Sequence, residues 1–255
     1  MTALQGLVST FGARAADLVL PEPRPDLSYV VVHQSPELGA PPAWLTARPD
    51  VTYVAQAGRG LSRSRNAAIE AATGEHLFVL DDDVAVDPAA MAAVAALAAS
   101  QDADVACYYH RFTDGTATGR PGPPRRVRRT GVGSVTSIDL SFRREALLRS
   151  GVRFDTDFGL GARNGAGEEA VFLGDCLSAH LAVWRFGAWV CTHAPESSGT
   201  DFYSTREKVL VRRRMLRRIF GPAAPVFVAA FWAKKLPEAA RNGHAGTFTR
   251  NMLLP

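Results

Sequence analysis

The sequence predicts an α/β fold in which helices flank a mainly parallel central sheet. Short β-rich runs alternate with helical segments along residues 27–100, and a βαβα series of this kind builds a parallel sheet. The helical segments carry capping residues at their ends, which supports their assignment. Ligands in such sheets bind beyond the carboxyl ends of the strands, so we expect the functional residues there.

Three apolar runs in the first half predict buried strands: residues 27–33, 51–55 and 76–80. The first of these is expected to open the sheet. Residues 61–73 predict a helix before the third strand, with Ser62 as its N-cap and Gly74 as its stop. Asp87 and the proline that follows it predict the start of a further helix, which continues to residue 99.

The second half of the sequence is less regular. Residues 113–129 are rich in Gly, Pro and Arg, which predicts a mobile loop, either a solvated excursion or a lid over the site. The further expected elements are a strand at 134–142, a helix at 144–149 ended by Gly151, a helix at 168–182 and a strand at 182–191.

Composition excludes several classes of protein. With 47% hydrophobic and 21% charged residues, the chain is globular rather than disordered. Its 3 cysteines are too few and too widely spaced for a disulfide framework or a zinc knuckle. The sequence shows neither signal-peptide features nor an uncharged stretch of about 20 residues, so a soluble cytoplasmic protein is expected. The net charge of +4, carried almost entirely by arginines, suggests an anionic partner.

A run of three aspartates, Asp81, Asp82 and Asp83, directly follows the apolar strand at 76–80. Three adjacent carboxylates at a strand end repel one another, and a hard divalent cation resolves that conflict. The run therefore predicts a Mg²⁺ or Mn²⁺ site. The alternative is structural, an acidic turn that caps the helix beginning at Asp87.

Several further motifs accompany the aspartate run in a fixed order. They are GLSRSRN at 60–66, ATGE at 72–75, SIDLSFR at 137–143, the block from Phe154 to Glu169 (FDTDFGLGARNGAGEE) and HAPESSG at 193–199. Over residues 27–199 this series resembles the family 2 glycosyltransferases of GT-A fold. The last motif resembles a branch associated with bacterial polysaccharides.

The resemblance implies a GT-A catalytic domain over residues 1–200, with a nucleotide-sugar half at about 27–100 and an acceptor half at about 101–200. It further implies that a sugar moves, with inversion, from a UDP- or GDP-linked donor to a saccharide or lipid-linked acceptor. A divalent cation held by Asp83, with Asp81, would then act as a Lewis acid on the diphosphate.

The donor-binding residues that follow from the resemblance and from position are Gln34, Ser35, Gly60, Ser62, Arg63, Arg65, Asp81 and Asp82. Asp81 and Asp82 would bind ribose hydroxyls or metal-bound water. Arg63 and Arg65 lie near a helix start, where guanidinium groups and free amides suit phosphate. The alternative for both arginines is an exposed helix face.

An inverting displacement also requires a base for the acceptor hydroxyl, and Glu168 and Glu169 are the candidates. They lie in the first turn of a predicted helix, where the helix dipole favours ionised carboxylates. The resemblance gives the base position to Glu169, where the family usually has Asp, so Glu168 remains the alternative. Without the flanking motif, ordinary charge complementarity at a helix start would explain both.

His193 follows an apolar strand and begins the HAPESSG motif. A neutral imidazole can bind Mn²⁺ beside carboxylates, and the resemblance assigns this residue as a metal ligand. The alternative is a hydrogen-bonded loop histidine.

The C-terminal residues 201–255 predict a helical extension. Residues 206–218 combine seven cations with one acid and with apolar residues at helical spacing, which indicates a basic amphipathic helix. Such a helix either lies on an anionic membrane surface, here through residues 205–235, or packs on the catalytic domain. A peripheral position on the inner face of the membrane would suit a lipid-linked acceptor.

Two alternative functions remain open at this stage. One is a non-catalytic, arginine-rich module that binds RNA or another polyanion, but it lacks the signatures of common RNA-binding folds and leaves the aspartates unexplained. The other is a metal-dependent nucleotidyltransferase using the same carboxylates. The glycosyltransferase hypothesis is preferred, and no nucleic-acid partner is expected.

Overall fold

A computed structural model describes residues 3–195 and 201–254, which form a nine-stranded sheet. The strands are β1 (Leu4–Phe11), β2 (Leu27–Gln34), β3 (Val51–Gln56), β4 (His76–Asp81), β5 (Ala85–Val86), β6 (Val105–Phe112), β7 (Arg125–Arg126), β8 (Leu140–Arg143) and β9 (Val183–His193). Their order in the sheet is β3-β2-β1-β4-β8-β6-β9-β5, and β7 also pairs with β9.

Strand direction confirms the predicted α/β class. The pairs β2–β3, β1–β2, β1–β4 and β6–β9 are parallel. The short strand β8 is antiparallel to both of its neighbours, β4 and β6. The β1–β4 half of the sheet is thus a parallel unit whose strands all end at one edge.

Helices cover both faces of the sheet. They are α1 (Ala43–Ala47), α2 (Leu61–Ala71), α3 (Pro88–Ser100), α4 (Arg144–Ser150), α5 (Glu168–Ser178), α6 (Arg206–Phe220), α7 (Ala224–Arg241) and α8 (Ala245–Leu253). One buried apolar cluster contains residues of α2, α5 and α6–α8, and a second contains residues of α3. The sheet separates these two cores.

The run at 27–33, which was expected to be the first strand, is the second in chain order, because β1 precedes it. Gln5 and Gly6 make β1 look weak as a sequence, yet it lies between β2 and β4. A Cβ on Gly6 would lie 2.7 Å from both Leu80 and Tyr29 side chains, so the strand accepts no side chain there. The Gln5 carboxamide accepts hydrogen bonds from the Thr73 and Gly74 amides, which explains its burial.

Several element boundaries differ from the sequence prediction. The N-cap of α2 is Gly60 rather than Ser62, and the helix ends at Ala71 before Gly74 is reached. Of the strand predicted at 134–142 only residues 140–142 belong to β8, because 3-10 helices at Arg129–Ser134 and Ser137–Asp139 precede it. Helix α5 stops at Ser178. The predicted cap at Asp87 is confirmed, since its carboxylate accepts hydrogen bonds from the backbone amides of residues 89 and 90. Residues 113–128 contain only β7 and a single β-bridge, between Ala117 and Arg111, as regular structure.

The C-terminal helices α6, α7 and α8 pack on the preceding part of the chain rather than apart from it. The apolar face of α6, including Val209, Met215 and Ile219, lies in the same buried cluster as α5. Three cations of α6 form salt bridges: Lys208 with Asp201, Arg214 with Glu207, and Arg218 with both Asp155 and Asp175. The packing alternative therefore describes α6.

One helical stretch among the described residues, Arg206–Arg241, is long and apolar enough to cross a membrane by length and composition. Its best 18-residue window has a mean hydropathy of 1.2, and 17% of that window is buried. Buried core helices of soluble proteins meet the same criterion, so this finding alone assigns no membrane span.

Candidate active site

The carboxyl ends of β1, β2 and β4 bring the candidate residues to one edge of the sheet. Asp81 of β4 lies opposite Ser9 of β1, and Phe11 of β1 lies opposite Gln34 of β2. The parallel register therefore places the aspartate run, the end of β1 and Gln34 at the same edge, as expected for ligand sites in such sheets.

Asp82 and Asp83 are held by an arginine that the sequence prediction missed. Arg14 follows β1, and its Nε lies 3.1 and 3.0 Å from the two Asp82 carboxylate oxygens. Its Nη2 donates to Asp83 Oδ2 at 2.9 Å and also contacts Asp82. Thr10 Oγ1 donates to Asp82 at 2.7 Å. The Arg14 guanidinium thus relieves part of the mutual repulsion among the aspartates. In return, its hydrogen bond to Asp82 raises the pKa of Arg14.

Asp83 lies close to His193, the histidine predicted to be a metal ligand. His193, at the end of β9, has Nε2 3.4 Å from Asp83 Oδ1. A carboxylate oxygen and an imidazole nitrogen at this separation form a donor pair that suits Mn²⁺. Asp81 does not join them, and the described residues contain no cluster of three or more His, Cys, Asp or Glu side chains that could hold a metal. Of the three predicted ligands the structure therefore brings Asp83 and His193 together, and the metal-binding role of all three stays a prediction.

Asp81 instead faces a buried arginine. Arg65 Nη2 donates to Asp81 Oδ1 at 3.1 Å, and Nη1 donates to Glu168 Oε1 at 2.9 Å. The Arg65 guanidinium also lies 5.5 Å from the Phe154 ring centroid. Burial lowers the pKa of Arg65, but the charges of Asp81 and Glu168 outweigh it and raise the pKa. Arg65 is 1% exposed, so it joins two carboxylates rather than standing on an exposed helix face.

The GLSRSRN motif holds the Phe154–Glu169 block against α2. Ser62 Oγ donates to the Phe158 carbonyl at 2.6 Å. The Asn66 carboxamide donates to the Phe154 carbonyl at 2.9 Å and accepts from the Phe154 amide at 2.8 Å. At Gly161 (φ +82°), a Cβ would lie 2.8 Å from Arg59, so the loop approaches α2 closely. Two sequence motifs thus form one structural unit.

The two candidate bases have different surroundings. Glu168 is buried and ion-paired with Arg65. Glu169 is half-buried, and burial together with the neighbouring Glu168 charge raises the pKa of Glu169 to about 8. The helix start was expected to keep both carboxylates ionised, but desolvation has the larger effect at Glu169.

The remaining donor-binding candidates mostly make internal contacts. Gln34 is buried and accepts a hydrogen bond from the Gly60 amide at 2.7 Å. Ser35 is buried in a left-handed backbone conformation (φ 50°). Arg63 is exposed, and it donates to the Ala57 carbonyl at 2.6 Å. Gln34 and Gly60 therefore fix the edge of the site, whereas Arg63 presents its charge at the surface.

A buried His–Asp pair lies behind His193. His110 Nδ1 is 2.9 Å from Asp139 Oδ1, and both side chains are buried. The His110 and His193 rings meet edge to face at 6.4 Å, and Thr136 donates to Asp139 at 2.8 Å. Because Asp139 holds the His110 ring, that ring limits the orientations open to His193. The sequence carried no local signal for the pair, because its members are 29 positions apart.

The motif HAPESSG extends only partly into the described structure. His193 ends β9, and residues 196–199 of the motif lie outside the described residues. The predicted role of His193 therefore depends on its contact with Asp83 alone.

Comparison with known sequences identifies the family resemblance independently. The sequence model of the family described as Glycosyl transferase family 2 matches residues 41–166, which include the aspartate run and most of the Phe154–Glu169 block. No curated protein sequence matches the chain significantly.

Solved structures with the same fold include TarS from S. aureus. Residues 1–349 of TarS in complex with UDP superpose with a TM-score of 0.63 at 15% identity, covering 95% of this chain and 74% of that chain. The same TarS fragment in complex with UDP-GlcNAc gives 0.58 at 14% identity, covering 98% of this chain and 72% of that chain. A longer TarS chain superposes with a TM-score of 0.57 at 15% identity, covering 99% of this chain and 55% of that chain. This chain therefore spans about half the length of that longer TarS chain, and identities this low support a shared fold.

Proposed function

We propose, on the premise that this chain is a glycosyltransferase of family 2 and of GT-A fold, that it transfers a sugar with inversion from a nucleotide diphosphate donor. The acceptor is a saccharide or lipid-linked hydroxyl, as in polysaccharide biosynthesis. The observation that carries the proposal is the Arg65 bridge, which ties the aspartate end of β4 to the start of α5. The RNA-binding and nucleotidyltransferase alternatives are not retained, because the match of residues 41–166 to the model of glycosyltransferase family 2 supports sugar transfer.

The donor is proposed to bind at the carboxyl edge of β1, β2 and β4. The TarS structures with UDP and UDP-GlcNAc support a uridine nucleotide as the first candidate. Arg63 offers an exposed guanidinium at the start of α2, where the helix dipole also favours phosphate. Gln34 and Gly60 shape this edge through their mutual hydrogen bond.

Asp83 and His193 are the residues proposed to hold Mn²⁺ or Mg²⁺. When bound, such an ion would supply the counter-charge for a departing nucleoside diphosphate. Arg14 pairs with the other Asp83 oxygen, and the His110 ring meets the His193 ring edge to face.

Glu169 is proposed as the general base that accepts the proton of the acceptor hydroxyl. Glu168 is already committed to the buried Arg65, so its carboxylate is poorly placed to exchange a proton with a substrate. The raised pKa of Glu169 makes its carboxylate a stronger base than an ordinary glutamate. The division of roles is therefore a positioning carboxylate at 168 and a reactive one at 169.

The extension, residues 201–255, is proposed to bring the enzyme to an anionic membrane surface, on its cytoplasmic side, through residues 205–235. The apolar face of α6 is buried against the catalytic residues, so the contact would fall to α7. Its outward apolar residues are Val226, Ala229, Ala230 and Ala233, and Lys234 is exposed beside them. Flotation with phosphatidylserine vesicles tests this contact. Val226→Asp should reduce binding several-fold, whereas Val19→Asp, at an equally exposed valine elsewhere, should not.

Transfer itself is tested with a panel of UDP-, GDP- and dTDP-sugars in the presence of Mn²⁺. Thermal shift identifies the donor that binds, and mass spectrometry of candidate saccharide acceptors detects the product. Glu169→Gln should retain donor binding and lose transfer. If Glu168→Gln does this instead while Glu169→Gln stays active, the assigned base is wrong.

A further inference from the structure

Arg14 holds both carboxylates on the proposed metal side of the site. Its guanidinium is bidentate to Asp82 and reaches Asp83 Oδ2 at 2.9 Å. The second Asp83 oxygen faces His193 Nε2 at 3.4 Å. One Asp83 oxygen therefore pairs with the Arg14 guanidinium, and the other forms the proposed cation-binding pair with His193.

The Arg14 contact is strong in geometry but open to solvent. The side chain of Arg14 is 55% exposed and that of Asp83 is 48% exposed, whereas Asp82 is 9% exposed. An exposed ion pair contributes little to stability and separates readily. Asp82 has a second partner in Thr10, which would hold it after Arg14 leaves. The guanidinium is thus free to exchange partners without disrupting the core.

A divalent cation at Asp83 and His193 would share a carboxylate with this guanidinium. Two positive charges on one carboxylate repel each other at short range, even where solvent reduces the interaction. Binding of the cation would then weaken the Arg14 contact. A nucleoside diphosphate beside the same carboxylates would offer Arg14 a new anionic partner, since guanidinium groups pair well with phosphate.

We propose that Arg14 competes with the divalent cation for Asp83 in the donor-free site and turns to the diphosphate when the donor binds. This inference rests on the proposed function, because it takes the donor to be a nucleotide diphosphate. Arg14 then makes cation and nucleotide binding cooperative: the cation alone binds weakly, and the nucleotide relieves the competition. Cooperativity is reciprocal, so the cation strengthens nucleotide binding by the same factor.

Titration with Mn²⁺, monitored by electron paramagnetic resonance of the free ion, tests the competition without turnover. In the absence of nucleotide, Arg14→Ala should bind Mn²⁺ at least about 5-fold more tightly than the wild type. Arg24→Ala is the matched control, because Arg24 is an exposed arginine that pairs with Asp26 outside the site. Asp83→Asn in the Arg14→Ala background should abolish the gain, which assigns it to this site.

Repeating the titration with UDP tests the exchange of partners. UDP should tighten Mn²⁺ binding in the wild type, and by a clearly smaller factor in Arg14→Ala. Unchanged or weaker Mn²⁺ binding by Arg14→Ala without nucleotide would overturn the proposal, as would an equal UDP effect in both proteins. If UDP, GDP and dTDP all fail to bind, the proposed function fails, whereas the nucleotide-free arm still decides the competition. Thermal unfolding of every variant confirms that it is folded.

Discussion

Arg65 and Glu168 form an ion pair that is almost closed to solvent, with Nη1 2.9 Å from Oε1 and side-chain exposures of 1% and 8%. The same guanidinium reaches Asp81 at the end of β4. One side chain thus connects the two halves of the site, the aspartate edge and the start of α5. Buried pairs of this kind add little net stability, but losing one partner leaves an uncompensated charge.

Removal of Arg65 should therefore be costly. Arg65→Ala is expected to reduce the free energy of unfolding by about 3–5 kcal/mol, because Glu168 remains buried without its partner. Arg63→Ala, at an exposed position of the same helix, should change it by less than about 0.5 kcal/mol. Urea denaturation followed by circular dichroism measures both. Equal effects of the two substitutions would show that the Arg65 pair is not closed to solvent as described.

The base assignment predicts a pH dependence of transfer. Glu169 must be deprotonated to accept a proton, and its raised pKa places that change at about pH 8. At saturating donor and acceptor, log kcat should rise with a slope of about 1 below this pH and level off above it. Should kcat remain flat down to the pKa of an ordinary glutamate, about 4.3, Glu169 is not the base in this environment.

The same raised pKa predicts an effect on stability that needs no substrate. Because folding raises the pKa of Glu169, the folded state binds more protons than the unfolded chain between the two pKa values, and stability falls as pH rises through that window. Gln carries no such proton, so the melting temperature of Glu169→Gln should gain on the wild type from pH 5 to pH 8.5. Glu145→Gln, at an exposed glutamate of α4, should show no such gain. If the melting temperatures of Glu169→Gln and the wild type differ by the same amount at every pH, the pKa of Glu169 is not raised.

The contact of α6 with the start of α5 predicts that position 167 requires glycine. Gly167, the N-cap of α5, has φ +91°, and a Cβ there would lie 2.8 Å from Met215 Sδ. Gly167→Ala should lower the free energy of unfolding by about 1–3 kcal/mol through backbone strain and crowding. Gly165→Ala, in the same loop with open space around it, should change it by less than about 0.5 kcal/mol. Chemical denaturation compares the two, and similar losses would mean that α6 does not pack closely on the start of α5.

Much of the fold could be predicted from the sequence because local signals agreed with it. The cap at Asp87 and the apolar runs of β2, β3 and β4 appear in the structure close to their predicted bounds. β1 was missed because its polar and glycine residues are explained only by partners elsewhere: Gln5 bonds to the turn after α2, and Gly6 lies against Leu80.

The site was predictable only in part, since several roles depend on long-range partners. The aspartate run and the two glutamates stood out by type and position. Arg65 was predicted to bind phosphate, because nothing in the local sequence reveals its two carboxylate partners. They are Asp81 and Glu168, and Glu168 lies 103 positions later. Arg14 gave no signal, because its partners lie 68 and 69 positions away.

The most direct test of the central claim is nucleotide binding with and without metal, compared between the wild type and Asp83→Asn by isothermal titration calorimetry. We expect UDP, or the nucleoside diphosphate found in the donor panel, to bind the wild type tightly only with Mn²⁺ or Mg²⁺. We also expect Asp83→Asn to lose this metal-dependent binding. Tight binding without metal that Asp83→Asn fully retains would contradict the claim.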